Sequence, residues 1–356
     1  MENKRIEKVA AALEKGEAVL ISSEPNRLYL TGFHSSAGTV LVTKSKAYFL
    51  ADFRYFEKAT ATVRGCECLL CEKLYHQLNE LFKKHNIDRL YMETSTVSIE
   101  TFARYLKEFT GIEISDNNKI DRLIHEMRSI KSAEEIALIR RAQSFTDQTF
   151  THILEFLKPG LSEREVMLEM EFFIRRLGSE GVSFDFIVVS GKNTSLPHGE
   201  PGEKRIEKGD FVLVDFGGVA CGYHSDMTRT VAIGKPSEEQ ILVYDTVLQA
   251  QQKALAMIKP GLRCCDVDKA ARDLIAKAGY GDAFGHGLGH SVGLEIHENP
   301  AFNLRCETIL KPGHVLTVEP GIYLENRYGV RIEDMVAVTK NGADNLTASP
   351  KELIVL

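Results

Sequence analysis

No apolar run in this sequence approaches the ~20 residues that a bilayer-spanning helix needs, so no membrane span is expected. The opening stretch, MENKRIEKVAAALEKGE, is charged throughout and lacks the apolar centre of a secretory signal. There is no basic excess: 44 Lys and Arg stand against 50 Asp and Glu, for a net charge of −6. Nucleic-acid binding demands clustered positive charge, so no nucleic-acid partner is expected. A glycine-rich phosphate loop is also missing. Cysteine is sparse, seven in all, an odd number scattered along the chain. That argues against a disulfide framework and for reduced thiols in the cytoplasm. Cys66, Cys68 and Cys71 lie close together in CECLLC, but they have no partner pair at zinc spacing. They sit in an apolar, strand-like stretch and read as half-buried thiols. Cys264 and Cys265 read as packing residues of a helix.

What the sequence does have is an ordinary globular composition, 44% hydrophobic and 26% charged, over 356 residues. That length suits two domains. The first third alternates strand and helix signals. Strands are expected at 18–23, 39–50 (broken as a hairpin near Lys44–Lys46), 88–93 and 112–115, with helices at 72–85 and 98–109. This α/β pattern can bury its own core, but no residue set in it has catalytic spacing. The polar patch Ser115-Asp116-Asn117-Asn118 then opens a helical stretch, and the expected domains are 1–122 and 123–356.

In the second domain, helices are expected at 132–157, 162–178, 238–258 and 266–278. Ser132 followed by Glu135 has the spacing of a capping box. Apolar strands are expected at 184–190, 211–216, 226–233, 314–323 and 329–339. Lys-Pro-Gly-Leu occurs between helices at 158–161 and again at 259–262, which hints at an internal duplication.

The chemistry concentrates in the second domain. Asp215 ends the apolar run Val212-Leu-Val-Asp215, and a buried carboxylate must be paired or bind a cation. Gly217, Gly218 and Gly222 let the chain turn back so that Asp226 comes alongside Asp215 on the neighbouring strand. Two such carboxylates repel unless a cation lies between them. Next comes Gly285-His286-Gly-Leu-Gly-His290, with His297 further on, rich in glycines that permit close backbone approach. Last come Val318-Glu319-Pro and Val330-Arg331-Ile-Glu333-Asp, in which each glutamate has an apolar setting. Four carboxylates balance two divalent cations, and such a pair lowers the pKa of a shared water. Oxygen-rich ligation with one nitrogen suits manganese, cobalt or zinc. His198 and His297 are placed to donate to a substrate carbonyl or move protons. A lone buried Asp or His is usually a hydrogen-bonded structural group. His286 is read as structural or substrate-lining, and His224 as a loop residue.

At these residues the chain resembles the pita-bread metallopeptidases, the family that includes proline dipeptidase, aminopeptidase P and methionine aminopeptidase. The resemblance implies an α+β protein with a creatinase-like N-terminal α/β domain and a C-terminal pita-bread catalytic domain. It implies that Asp215, Asp226, His290, Glu319 and Glu333 hold two divalent metal ions, with Asp226 and Glu333 bridging. Manganese or cobalt is the expected metal, with zinc possible. It makes His198 and His297 the catalytic-pocket histidines and puts Arg331 in the usual Val-Arg-Ile-Glu-Asp setting. His286, Arg331 and Tyr223 are the expected substrate contacts. The implied substrate is a peptide with proline at the second position, cleaved before that proline, and the implied assembly is a homodimer. The sequence departs from the pattern in one place: many proline-specific relatives have an arginine after His297-Glu-Asn-Pro, where Ala301 and Phe302 follow here. A non-catalytic peptide- or protein-binding member of the fold, and a metal-free creatinase-like hydrolase, are the competing readings.

Overall fold

A computed structural model describes residues 4–356, and the chain divides into two compact units after Arg128. Helix Lys119–Ser129 runs unbroken across the expected boundary at 122, and the division falls at its end.

The first unit contains, in chain order, α1 (Lys4–Ala11), β1 (Glu17–Ile21), α2 (Glu24–Thr31), β2 (Thr39–Thr43), β3 (Ala47–Ala51) and α3 (Phe53–Thr62). Then follow β4 (Glu67–Leu70), α4 (Leu74–His85), β5 (Arg89–Met92), α5 (Ile99–Glu108), β6 (Glu113–Ser115) and α6 (Lys119–Ser129). The hairpin predicted at 39–50 is β2–β3. Helices α1, α2 and α3 are not predicted by the apolar spacing. Helix α2 is short, with Pro25 in its first turn. The six strands form one mixed sheet in the order β4-β3-β2-β1-β5-β6. Leu20, Leu41, Leu50, Leu78, Phe82 and Leu90 pack its core.

At the carboxyl ends of the parallel neighbours β1 and β5, an open α/β sheet commonly leaves an anion-binding crevice at a helix N-terminus. Here Glu93 fills it. Its buried carboxylate accepts from the backbone N–H of Ser22 (2.5 Å) and Ser23 (2.8 Å) and from Asn26 Nδ2 (2.8 Å). The three clustered thiols are half-buried and free. Burial pushes the Cys66 thiol up to about 12 and raises Cys68 and Cys71, which disfavours the thiolate a metal needs.

The second unit repeats one plan twice. Its first half has α7 (Ala133–Phe156), α8 (Glu163–Arg176), β7 (Ile187–Ser190), β8 (Phe211–Phe216), the short pair β9 (Val219–Ala220) and β10 (Tyr223–His224), and β11 (Met227–Ala232). Its second half has α9 (Glu238–Met257), α10 (Cys264–Lys277), β12 (Gly289–Ser291), β13 (Glu298–Phe302), β14 (Val315–Val318), β15 (Gly321–Leu324), β16 (Tyr328–Arg331), β17 (Asp334–Val338) and β18 (Ala343–Asn345). The sheets are β11-β8-β7 and β13-β12-β14-β17-β18, both antiparallel throughout.

The two Lys-Pro-Gly-Leu segments behave alike. Gly160 N–H donates to the Ile206 carbonyl and Gly261 N–H to the Leu310 carbonyl, each at 2.9 Å. Bridges Ser162↔Arg205 and Arg263↔Ile309 follow them. Both long helices begin with a capping box, Ser132 with Glu135 and Ser237 with Gln240. Each half then buries its helices on its own strands. Ile153, Val166, Met170 and Ile174 pack on Val188, Val212 and Val214 in the first half, while Val247, Val267 and Ala271 pack with Leu316, Val318 and Val336 in the second. Each such side chain contributes about 1.5–3 kcal/mol of apolar burial, against which chain entropy is set. Among the described residues, no helix is long and apolar enough to cross a membrane.

Candidate metal centre

Local chemistry places Asp226, Glu319 and Glu333 just outside strands, Asp215 next to the end of β8, and His290 within the short β12. Cys221 (φ 49°) and Gly222 (φ 78°) both adopt positive φ, the conformation of a two-residue hairpin turn, and reverse the chain between β9 and β10. The reversal sets Thr228 opposite Asp215 on β11 and β8, with Asp226 just before β11. Strands expected to run through 314–323 and 329–339 are instead each broken in two. Pro320 has no N–H to donate, so β14 stops at Val318, and Glu319 N–H turns to the Leu288 carbonyl (2.8 Å). Glu333 N–H is taken by the Thr228 carbonyl (3.1 Å) between β16 and β17. Both glutamates therefore project from breaks rather than from mid-strand.

The five side chains converge. Ligand atoms of Asp226, His290 and Glu333 lie within 4.8 Å of one another. His290 Nε2 is 3.5 Å from Asp226 Oδ2 and 3.4 Å from Glu319 Oε1. His290 Nδ1 lies 3.2 Å from the Ser291 carbonyl, which can only accept, so Nδ1 carries the proton and Nε2 presents its lone pair to the carboxylates. Burial, then the charge of neighbouring His297, drives the His290 pKa down to about 4, which keeps the ring in its neutral ligand form. The carboxylates shift the other way. Burial first, then the charges of the other carboxylates, raise Asp226 and Glu333 well above the usual range, and burial carries Glu319 to about 8.

Fixed donors orient these groups. Thr228 Oγ1 donates to Glu333 Oε2 (2.8 Å), and Thr317 Oγ1 donates to Glu319 Oε1 (3.1 Å). Arg331 Nη2 holds Asp215 Oδ2 at 2.6 Å, while Asp215 Oδ1 is buried without a protein partner. One arginine cannot offset four ionised carboxylates, so without a cation three of them hold their protons to raised pH. The orphaned Asp215 oxygen and the His290 lone pair line one cavity with the other carboxylates, a donor set that fits divalent cations of the manganese, cobalt or zinc type.

The cluster opens into a cavity of about 640 Å³. His198, His297, His286 and Arg331 line it, as do Phe184, Ile187, Pro197, Ile296, Ala301 and Phe302. His297 meets His290 edge-to-face at 4.4 Å. The loop carrying His198 is tied down by buried Glu163, which accepts from Ser190 N (2.7 Å), Asn193 Nδ2 (3.0 Å) and Gly202 N (3.1 Å). His286 Nδ1 lies 2.8 Å from the Gly287 carbonyl and its Nε2 3.0 Å from the Tyr323 hydroxyl.

Arg331 is fully engaged: besides Asp215 it donates to Thr228 Oγ1 (3.0 Å), the Pro197 carbonyl (3.2 Å) and Tyr323 Oη (2.8 Å). Tyr223 is a correction. It is buried off the cavity, its hydroxyl donating to Glu135 Oε1 at 2.6 Å, so it is not placed to touch substrate. The cavity tyrosine is Tyr323, which sequence reasoning missed. Thr228 and Thr317 were missed too, although each stands two residues from an acidic candidate, the spacing of one face in extended chain and the signal that could have found them.

A duplicated unit whose facing strands gather buried carboxylates around an imidazole has the make-up of a metal-dependent hydrolase. Residues 137–340 match the model of metallopeptidase family M24, and residues 5–130 match the creatinase/prolidase N-terminal domain. The chain belongs to metallopeptidase family M24, with the two-domain pita-bread architecture that the resemblance implied. An Xaa-Pro dipeptidase of Pyrococcus horikoshii is 38% identical over 356 residues, 99% of each chain. The solved structure of an Xaa-Pro dipeptidase from Bacillus anthracis superposes with a TM-score of 0.94 at 40% identity over 99% of each chain. That of an X-Pro aminopeptidase from Thermotoga maritima gives 0.91 at 33% identity, over 98% of this chain and 99% of that one.

Proposed function

We propose that this metallopeptidase cleaves the peptide bond before proline, in dipeptides or at peptide N-termini, with two divalent cations held by Asp215, Asp226, His290, Glu319 and Glu333. The observation that carries this reading is the buried cluster itself: carboxylates that raise one another's pKa, around a neutral imidazole, with the Asp215 Oδ1 oxygen left over. The names of the relatives support the proline specificity. When bound, the cations supply Lewis acidity, activating water and polarising the scissile carbonyl.

The protein's own groups do the rest. The carboxylates would neutralise the cations, and the neutral His290 would help to fix them. Arg331 and the two threonines hold those carboxylates in one orientation. His297 and His198 face the cavity, where they hydrogen-bond the peptide and move protons at their ring nitrogens. Phe184, Pro197, Ile296 and Phe302 give the apolar walls that suit a proline ring.

The test is a panel of Ala-Pro, Arg-Pro-Pro and longer Xaa-Pro peptides with manganese, cobalt and zinc added to metal-stripped protein. Cleavage before proline that depends on the metal is expected, and metal-independent cleavage or none rejects the reading. Turnover of dipeptides alone points to a dipeptidase, and release of the first residue from longer peptides to an aminopeptidase.

A further inference from the structure

The loop from His290 to His297 carries a candidate ligand at one end and a cavity histidine at the other. Its bonds converge on one carboxylate, Glu298. Glu298 Oε1 accepts from the backbone N–H of Leu294 (3.0 Å) and Glu295 (3.3 Å), and Oε2 accepts from Lys131 Nζ (3.0 Å). This ion pair is buried, with 1% of the Lys131 side chain and 7% of the Glu298 side chain exposed. Gly293 lies flat against the carboxylate, and a Cβ there would stand 2.6 Å from either oxygen. The Gly293 carbonyl in turn accepts the backbone N–H of His224 (2.9 Å), two residues before Asp226. One side chain thus gathers the turn that joins His290, His297 and the hairpin leading to Asp226. The pairing of β12 with β13 shifts register between His290 and Ser291, so regular ladder bonds do not hold this stretch by themselves.

Lys131 is anchored separately. Its own N–H donates to the Gly313 carbonyl (2.8 Å), and its side chain is buried near His314. Burial first, and then the charges of Lys131 and Lys311, push the His314 pKa down to about 4, so that ring offers Lys131 no competing charge. A buried carboxylate deprived of its counter-charge takes up a proton or leaves the interior. The Lys131 ammonium favours the ionised Glu298 carboxylate, which accepts from two backbone N–H groups.

We propose that Glu298, held by Lys131, is a positioning residue that sets the loop between His290 and His297, and through it the geometry of both histidines. The inference rests on the reading of the site as a metal-dependent Xaa-Pro peptidase.

Three variants test it: Glu298→Ala, Glu298→Gln, and Glu298→Gln combined with Lys131→Met. The double variant restores a neutral pair and keeps an oxygen for the Leu294 N–H. Manganese affinity by calorimetry on metal-stripped protein, kcat and KM on an Xaa-Pro peptide, and the circular-dichroism melting midpoint are read for each. Glu298→Ala and Glu298→Gln should lose about 10- to 100-fold in manganese affinity and in kcat, with KM little changed. The double variant should recover most of both. A lower melting midpoint with manganese affinity and kcat at wild-type level means a purely structural pair and overturns the proposal. Should Glu298→Ala fail to fold, Glu298→Gln decides: equal values with and without Lys131→Met also overturn it. Wild type and Asp226→Asn are run alongside. Metal-dependent cleavage by the first and none by the second uphold the underlying reading whatever Glu298 does.

Discussion

The two halves of the catalytic unit share a plan and differ in one candidate ligand. Asp215 at the end of β8 corresponds to Glu319 just after β14, and Asp226 just before β11 corresponds to Glu333 just before β17. Laying Asp215 over Glu319 places Val212 over Leu316. Ser190 pairs with Val212, and Ser291 pairs with Leu316. By that register, Val189 stands where His290 stands. Val189 is buried apolar core, while His290 turns a lone pair to the carboxylates. Each half contributes two carboxylates, and only the second contributes nitrogen. A duplication thus makes a four-carboxylate frame, and a single position makes its two ends chemically unequal.

The largest effect tests the symmetric part. Asp226→Asn and Glu333→Gln, the corresponding pair, should each reduce Xaa-Pro hydrolysis to background in a proline-release assay, with the circular-dichroism spectrum unchanged. If one variant keeps wild-type activity, the halves are not equivalent.

The next tests the asymmetric part. His290→Asn should lower manganese stoichiometry from two ions per chain to one by calorimetry. Val189→Ala should leave stoichiometry alone and cost about 2 kcal/mol of stability in chemical denaturation.

A third uses pH. Glu319 is carried up to about 8 from the ordinary 4.5, and Asp226 and Glu333 are raised with it. A carboxylate whose folded pKa exceeds its unfolded one stabilises the protein at low pH and loses that contribution as pH rises through the folded value. Melting midpoints of metal-stripped protein should therefore fall from pH ~6 to ~8. Manganese, which needs the deprotonated groups, should raise the midpoint more at pH ~8 than at ~6. A metal-free midpoint that climbs over this window contradicts the shifts.

The smallest effect on activity belongs to Tyr223→Phe. It removes a buried hydrogen bond to Glu135 and should cost about 1.5–3 kcal/mol of stability, with kcat and KM unchanged.

Much of this was legible in the chain. Apolar spacing carried the long helices and the strands β8 and β11, and the Ser132 capping box marked the start of α7. The repeated Lys-Pro-Gly-Leu carried the duplication, since proline and glycine act locally and leave a local mark. The acidic candidates could be read because a carboxylate in a β-branched run is an anomaly in itself. The breaks at Glu319 and Glu333 were harder, because Thr228 takes the Glu333 amide from a strand over a hundred residues away in sequence. Tyr223 and Tyr323 show the same limit: each follows a glycine-rich or apolar stretch, and only the packing against Glu135 or His286 tells them apart. Of the arginines near the missing position, Arg305 is exposed and does not line the cavity, whereas Arg331 does but is bound to Asp215.

The most direct measurement is anomalous diffraction from a crystal of the protein grown with manganese. Two peaks should lie among Asp215, Asp226, His290, Glu319 and Glu333, with His290 Nε2 on only one of them. Manganese bound elsewhere, or a cluster that stays empty at saturating metal, contradicts the account.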